Sequence, residues 1–139
     1  MNVYFCGSIR GGRGLQPVYA ALVNHLERNG HTVPTAHVAA PDVLSDERRY
    51  SLDEIYRRDV LWLEACDAVV AEVTVPSLGV GYEIAYALHQ ASKPVLCLCQ
   101  AGTPLSVMIE GNGSPNLRVV FYHDVAQALA AVDQFLDAR

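Results

Sequence analysis

The sequence predicts an α/β fold: one Rossmann-like, flavodoxin-like domain over residues 1–139, with a five-stranded parallel sheet and helices on both faces. Three observations predict it. Strand and helix signals alternate from end to end. The strongest strand candidates, Ala68 to Val73 and Pro94 to Cys99, are apolar almost throughout, as strands covered on both faces are. Two of the loops that follow strand ends are rich in glycine, on the side where such sheets receive ligands.

The first strand is expected at Val3 to Cys6, closing on Gly7 and a loop of glycines and arginines. From Leu15 to Asn29 the apolar residues Leu15, Val18, Tyr19, Leu22, Val23 and Leu26 recur at intervals suited to a helix, and Gly30 stops it. A short second strand is expected over Thr32 to Ala36. Pro41 to Arg49 is polar, with helix-breaking residues, and reads as a mobile loop where a lid would sit. Ser51 and Glu54 form a capping box for a helix to about Ala65, with Leu52, Ile55, Leu61 and Trp62 as its apolar contacts. Ala68 to Val73 and Pro94 to Cys99 flank a helix over Gly79 to Ser92, and Val119 to Tyr122 and Ala126 to Leu136 supply the last strand and helix. The expected strand order is 2-1-3-4-5, with right-handed crossovers.

A chain of 139 residues buries one core. It is 51% hydrophobic and 18% charged, with no apolar run of ~18 residues and no basic leader before an apolar stretch. A soluble, cytoplasmic protein with no membrane partner is expected. Cys6, Cys66, Cys97 and Cys99 lie in apolar segments and read as buried free thiols in a reducing compartment. The net charge of −5 and the pI near 5.4 argue against a nucleic-acid polymer as partner, so any phosphate is held locally. His25, His31 and His37 lack zinc spacing; no metal is expected.

Three loops lie on the expected ligand side. Gly7-Ser8-Ile9-Arg10-Gly11-Gly12 offers backbone N–H groups, a hydroxyl and a guanidinium just before a helix, a way to hold phosphate that is equally a plain tight turn. It is neither a P-loop nor GxGxxG. His37-Val38-Ala39-Ala40 is the second loop. The third, Pro76 to Glu83, puts a carboxylate in the first turn of a helix, where it is either an anion kept ionised for nucleophilic attack or an ordinary cap. Asp59, after Arg57 and Arg58, reads on its own as a solvated member of a charge cluster. Glu72, at the end of an apolar strand, either reaches the site or pairs with a cation.

Together Tyr4-Phe5-Cys6-Gly7-Ser8-Ile9-Arg10-Gly11-Gly12, His37-Val38-Ala39-Ala40, Asp59, Ala71-Glu72-Val73-Thr74 and Pro76-Ser77-Leu78-Gly79-Val80-Gly81-Tyr82-Glu83 resemble the 2'-deoxynucleoside 5'-phosphate N-hydrolases. These belong to the nucleoside 2-deoxyribosyltransferase superfamily. The resemblance runs from Val3 through Leu105-Ser106-Val107-Met108-Ile109; beyond Gly111 only the general pattern matches, and Pro41 to Ser51 departs in length and content. It implies a cofactor-free N-glycosidase with Glu83 as nucleophile and Tyr4 and Asp59 completing the catalytic group. Gly7, Ser8, Ile9 and Arg10 would line the nucleotide site, and His37, Ser77, Gly79, Gly81 and Met108 would join the substrate-binding set. It implies a homodimer in which Ser106 serves the neighbouring subunit's site. The superfamily's transferases carry an acidic residue where Ser77 stands; a carboxylate there repels a phosphate dianion, so Ser77 favours nucleotides over nucleosides. Similar enzymes acting on cytidine 5'-monophosphate tend to have phenylalanine in place of Tyr4, so the tyrosine leans toward deoxyribose.

Overall fold

The computed structural model describes residues 1–139, apart from the side chain of Asp46. Four apolar runs become the strands β1 (Val3–Cys6), β2 (Ala68–Glu72), β3 (Val95–Gln100) and β4 (Leu117–Tyr122). They pair in parallel in the order β1-β2-β3-β4, with Val3 against Ala68, Val69 against Val95 and Val95 against Leu117. Alternation of side chains divides the core in two. Val3, Phe5, Val70, Leu96 and Leu98 pack beneath α1 (Gln16–Arg28) and α6 (Val125–Asp137). Tyr4, Cys6, Val69, Ala71 and Cys97 pack on the opposite face beneath α3 (Leu52–Ala65) and α4 (Leu78–His89). Helices thus cover both faces, as expected.

The described residues form four strands and not five. Thr32 makes a single parallel bridge to Asn2, at the sheet edge where the second strand was expected. Pro34 has no N–H to continue the ladder. The chain instead turns into a 3-10 segment, Ala36–Ala39, and the hydroxyl of Thr35 accepts the Phe5 N–H at 2.9 Å that a strand carbonyl would have taken.

The stretch expected as a loop carries a short helix, α2 (Val43–Glu47), fixed by Val43, which is buried. The α3 capping box is present from both sides: Ser51 N–H donates to Glu54 Oε2 at 2.8 Å, and Glu54 N–H donates to Ser51 Oγ at 3.2 Å. The buried face of α3 differs from expectation. Leu63 is its buried residue and Trp62 packs at the margin, while Leu52 and Leu61 face outward. Glu72 is buried, and among the described residues no cation pairs with it. It accepts hydrogen bonds from Tyr122 Oη at 2.9 Å and from the Thr74 hydroxyl, and Thr74 Oγ1 accepts the Gln100 N–H at 2.8 Å. Burial still pushes the Glu72 carboxyl pKa up. This network ties the carboxyl ends of β2, β3 and β4 together beneath the third loop. A last short helix, α5 (Val107–Glu110), is capped by Ser106. No described helix is long and apolar enough to cross a membrane.

Candidate active site

Residues Tyr4 and Cys6, two apart on β1, point to the face that α4 covers, and both meet Glu83. Tyr4 Oη donates to Glu83 Oε1 at 2.6 Å, and Cys6 lines the same cleft beside Glu83. Glu83 is the sixth residue of α4, in its second turn and not in the first as expected. The helix N-terminus acts within the first turn, so it does little for this carboxylate. Burial dominates. It raises the Glu83 pKa to about 7, with the charge of Asp59 adding to the rise and the bond from Tyr4 opposing it. Burial and the neighbouring Glu83 push the Tyr4 phenol well above its ordinary range, which keeps it a neutral donor.

A cleft of about 450 Å³ opens over this pair. The first loop contributes Gly7, Ile9 and Arg10 to it, and the 3-10 segment contributes His37. Asp59 enters from α3, with Ser77 and Gly79 at the start of α4. Two glycines allow the loops to pack this closely. A Cβ on Gly7 would stand 2.8 Å from the Tyr19 ring, and one on Gly11 would stand 2.5 Å from the Pro76 carbonyl oxygen. Arg13 braces the same loops by donating to the carbonyls of Val38 at 3.0 Å and Ala40 at 2.6 Å.

Asp59 is partly buried at the cleft and pairs with Arg58, its neighbour in the charge cluster. Arg58 Nε donates to its Oδ1 at 2.9 Å, the Arg58 guanidinium lies 4.7 Å from the centre of the Trp62 ring, and His37 Nε2 lies 3.3 Å from Arg58 Nη2. Of these groups, Asp59 and His37 line the cleft with Glu83. Ser77 caps α4, its Oγ accepting the Val80 N–H at 3.4 Å.

Four expected site residues lie elsewhere. Ser8 is buried beside the cleft, and its hydroxyl has no hydrogen-bond partner among the described residues. Gly81, Ser106 and Met108 line a second, largely apolar cleft of about 590 Å³ on the other side of the α4 N-terminus. Cys6 and Glu47 are among the cleft residues not anticipated. Cys6 was legible as the i+2 partner of Tyr4 on one strand face, whereas Glu47 lies in a segment read as a loop, with no signal to mark it.

A parallel α/β layer with a carboxylate held beneath a cleft at the strand ends defines the class. The family profile described as nucleoside 2-deoxyribosyltransferase matches residues 3–117, and the chain belongs to that family. Among curated proteins it is similar to the 5-hydroxymethyl-dUMP N-hydrolase of Rattus norvegicus, 42% identical across 99% of this chain and 85% of the relative. The Homo sapiens protein of the same name is 41% identical across 98% of this chain and 79% of the relative. Among solved structures, the Clostridium botulinum CMP N-glycosidase BcmB superposes with a TM-score of 0.74 at 20% identity, covering 97% of this chain and 99% of that one. That likeness establishes the fold.

A raised carboxyl pKa means that ionised Glu83 destabilises the folded state. The penalty is full above about pH 7 and is lost as pH falls toward the ordinary value of 4.5. Glu83→Gln should therefore melt several degrees above wild type at pH 8, with the gap closing by pH 5. A gap independent of pH would contradict the burial argument.

Proposed function

We propose that the protein hydrolyses the N-glycosidic bond of 2'-deoxynucleoside 5'-monophosphates, releasing free base and 2-deoxyribose 5-phosphate through a covalent intermediate on Glu83. The observation that carries the reading is a buried carboxyl, held by Tyr4 at 2.6 Å, in a cleft that also presents Asp59 and Arg10. Identity of about 42% to N-hydrolases over nearly the whole chain supports it. Residues 1–139 act as one nucleoside 2-deoxyribosyltransferase-like domain.

As the bond between C1' and the base nitrogen breaks, its electron pair leaves with the base, which takes up a proton. A Glu83 oxygen bonds C1' and limits the positive charge that the sugar ring carries. Water then attacks C1', releases Glu83 and leaves a hydroxyl on the sugar. Tyr4 holds Glu83 in position. Asp59 either protonates the departing base or holds the sugar hydroxyls; general acid help of that kind contributes roughly 100- to 10,000-fold. Arg10 and Ser77 take the 5'-phosphate, with Gly7, Ile9, His37 and Gly79 shaping the nucleotide's bed. Contacts remote from C1' hold the sugar in register, so they serve turnover as well as binding. The reaction needs no cofactor and no metal.

The active unit is a homodimer in which Ser106 and Met108 enter the neighbouring subunit's site. In support, Leu78, Val107 and Met108 are 97%, 79% and 77% exposed around the second cleft, an apolar surface suited to burial by a second copy. Four free, buried cysteines support a cytoplasmic location.

Incubation with dGMP, GMP and deoxyguanosine in parallel should release guanine from dGMP alone, with Glu83→Ala abolishing it. Equal release from GMP or deoxyguanosine would overturn the substrate reading, and transfer of deoxyribose to an added free base would make the enzyme a transferase. For the dimer, mixing Glu83→Ala with Ser106→Ala should restore part of the activity that each lacks, because one site of every mixed dimer is then intact. Mixtures no better than their components would rule out a shared site.

A further inference from the structure

Arg10 is the one guanidinium among the groups lining the cleft, beside three carboxyl groups, those of Glu47, Asp59 and Glu83. Asp59 has Arg58, and Glu83 has Tyr4. Arg13, near the first loop, is engaged by the carbonyls of Ser8, Val38 and Ala40. Glu47 has Arg10: its Oε2 lies 3.3 Å from Arg10 Nη2. The two partners are unequal. The Glu47 side chain is 11% exposed and sits at the end of α2, which Val43 anchors, while the Arg10 side chain is 71% exposed. The carboxylate is the fixed member and the guanidinium the movable one.

We propose that Glu47 is an internal competitor for the nucleotide's 5'-phosphate, holding Arg10 in the open cleft and yielding it when a phosphate arrives. The inference rests on the reading of Arg10 as a phosphate ligand. A single contact to an exposed guanidinium is weak and readily exchanged. A phosphate dianion offers Arg10 more charge and more acceptor oxygens than one carboxylate. The fixed Glu47 sets a threshold: a ligand must carry enough negative charge to displace it. Free phosphate and the released sugar phosphate gain least, because they lack the base contacts that help a whole nucleotide to hold Arg10.

The test is calorimetric binding of 2-deoxyribose 5-phosphate and of inorganic phosphate at low ionic strength. It compares wild type, Glu47→Gln, Arg10→Ala and the double variant. Glu47→Gln should tighten both ligands roughly fivefold, the size of one screened charge interaction near a protein surface. Arg10→Ala should weaken them, and in that background the gain from Glu47→Gln should shrink below about twofold, because nothing is left to compete for. A gain of equal size in both backgrounds would show plain repulsion and overturn the proposal. Weaker binding in Glu47→Gln would make Glu47 a support for Arg10 and overturn it too. If Arg10→Ala binds as wild type does, the phosphate reading fails and the competitor with it. If Arg10→Ala weakens binding while Glu47→Gln changes nothing, the competitor alone fails.

Discussion

The hydrogen bond from Tyr4 to Glu83 joins residues 79 apart in sequence, and the rest of the site depends on it. It forms only because β1 lies beside β2 in a parallel sheet, with α4 crossing over the face that Tyr4 shares with Cys6. The sheet supplies rigidity where the chemistry needs it. Tyr4 is 1% exposed and has one direction in which to point. The Tyr4 phenol stays neutral and donates to Glu83, so it favours the ionised form of the carboxyl that burial works against. The outcome is a Glu83 pKa of about 7, at which a buried carboxylate is still available near neutral pH.

The same economy of charge governs the rest of the cleft. Among the described residues each carboxylate in it has a partner: Asp59 has Arg58, Glu47 has Arg10, and Glu83 has the uncharged Tyr4 hydroxyl. Glu83 alone is held without a cation, which leaves its charge free to meet the positive charge that develops at an anomeric carbon. Below the floor, Glu72 joins three strand ends through hydroxyl groups and keeps the third loop in place without adding a cation to the site.

Much of this was legible in the sequence. The four central strands, the α1 and α3 helices, the Ser51 and Glu54 cap and the buried thiols follow from periodicity and end signals. Nine of the thirteen expected site residues share one cleft. What was missed has local causes. Thr32 to Ala36 had strand composition, but Pro34 ends the ladder after one bridge. Leu52 and Leu61 fit an apolar stripe on α3, yet the crossing of α3 over the sheet turned Leu63 inward instead. Glu83 lies in the second turn of α4, five residues after its first residue Leu78, so burial and hydrogen bonding, and not the helix dipole, set its protonation. Glu47 became visible only when α2 brought it against Arg10, a long-range contact that no local pattern encodes.

The central claim is that Glu83 bonds the sugar. Acid quenching during turnover of dGMP, followed by peptide mapping with mass spectrometry, tests it most directly. The account predicts a deoxyribose 5-phosphate adduct on the peptide that carries Glu83, localised to that residue and absent from Glu83→Ala. An adduct on Asp59, or steady product formation with inversion at C1' and no adduct at all, would contradict it.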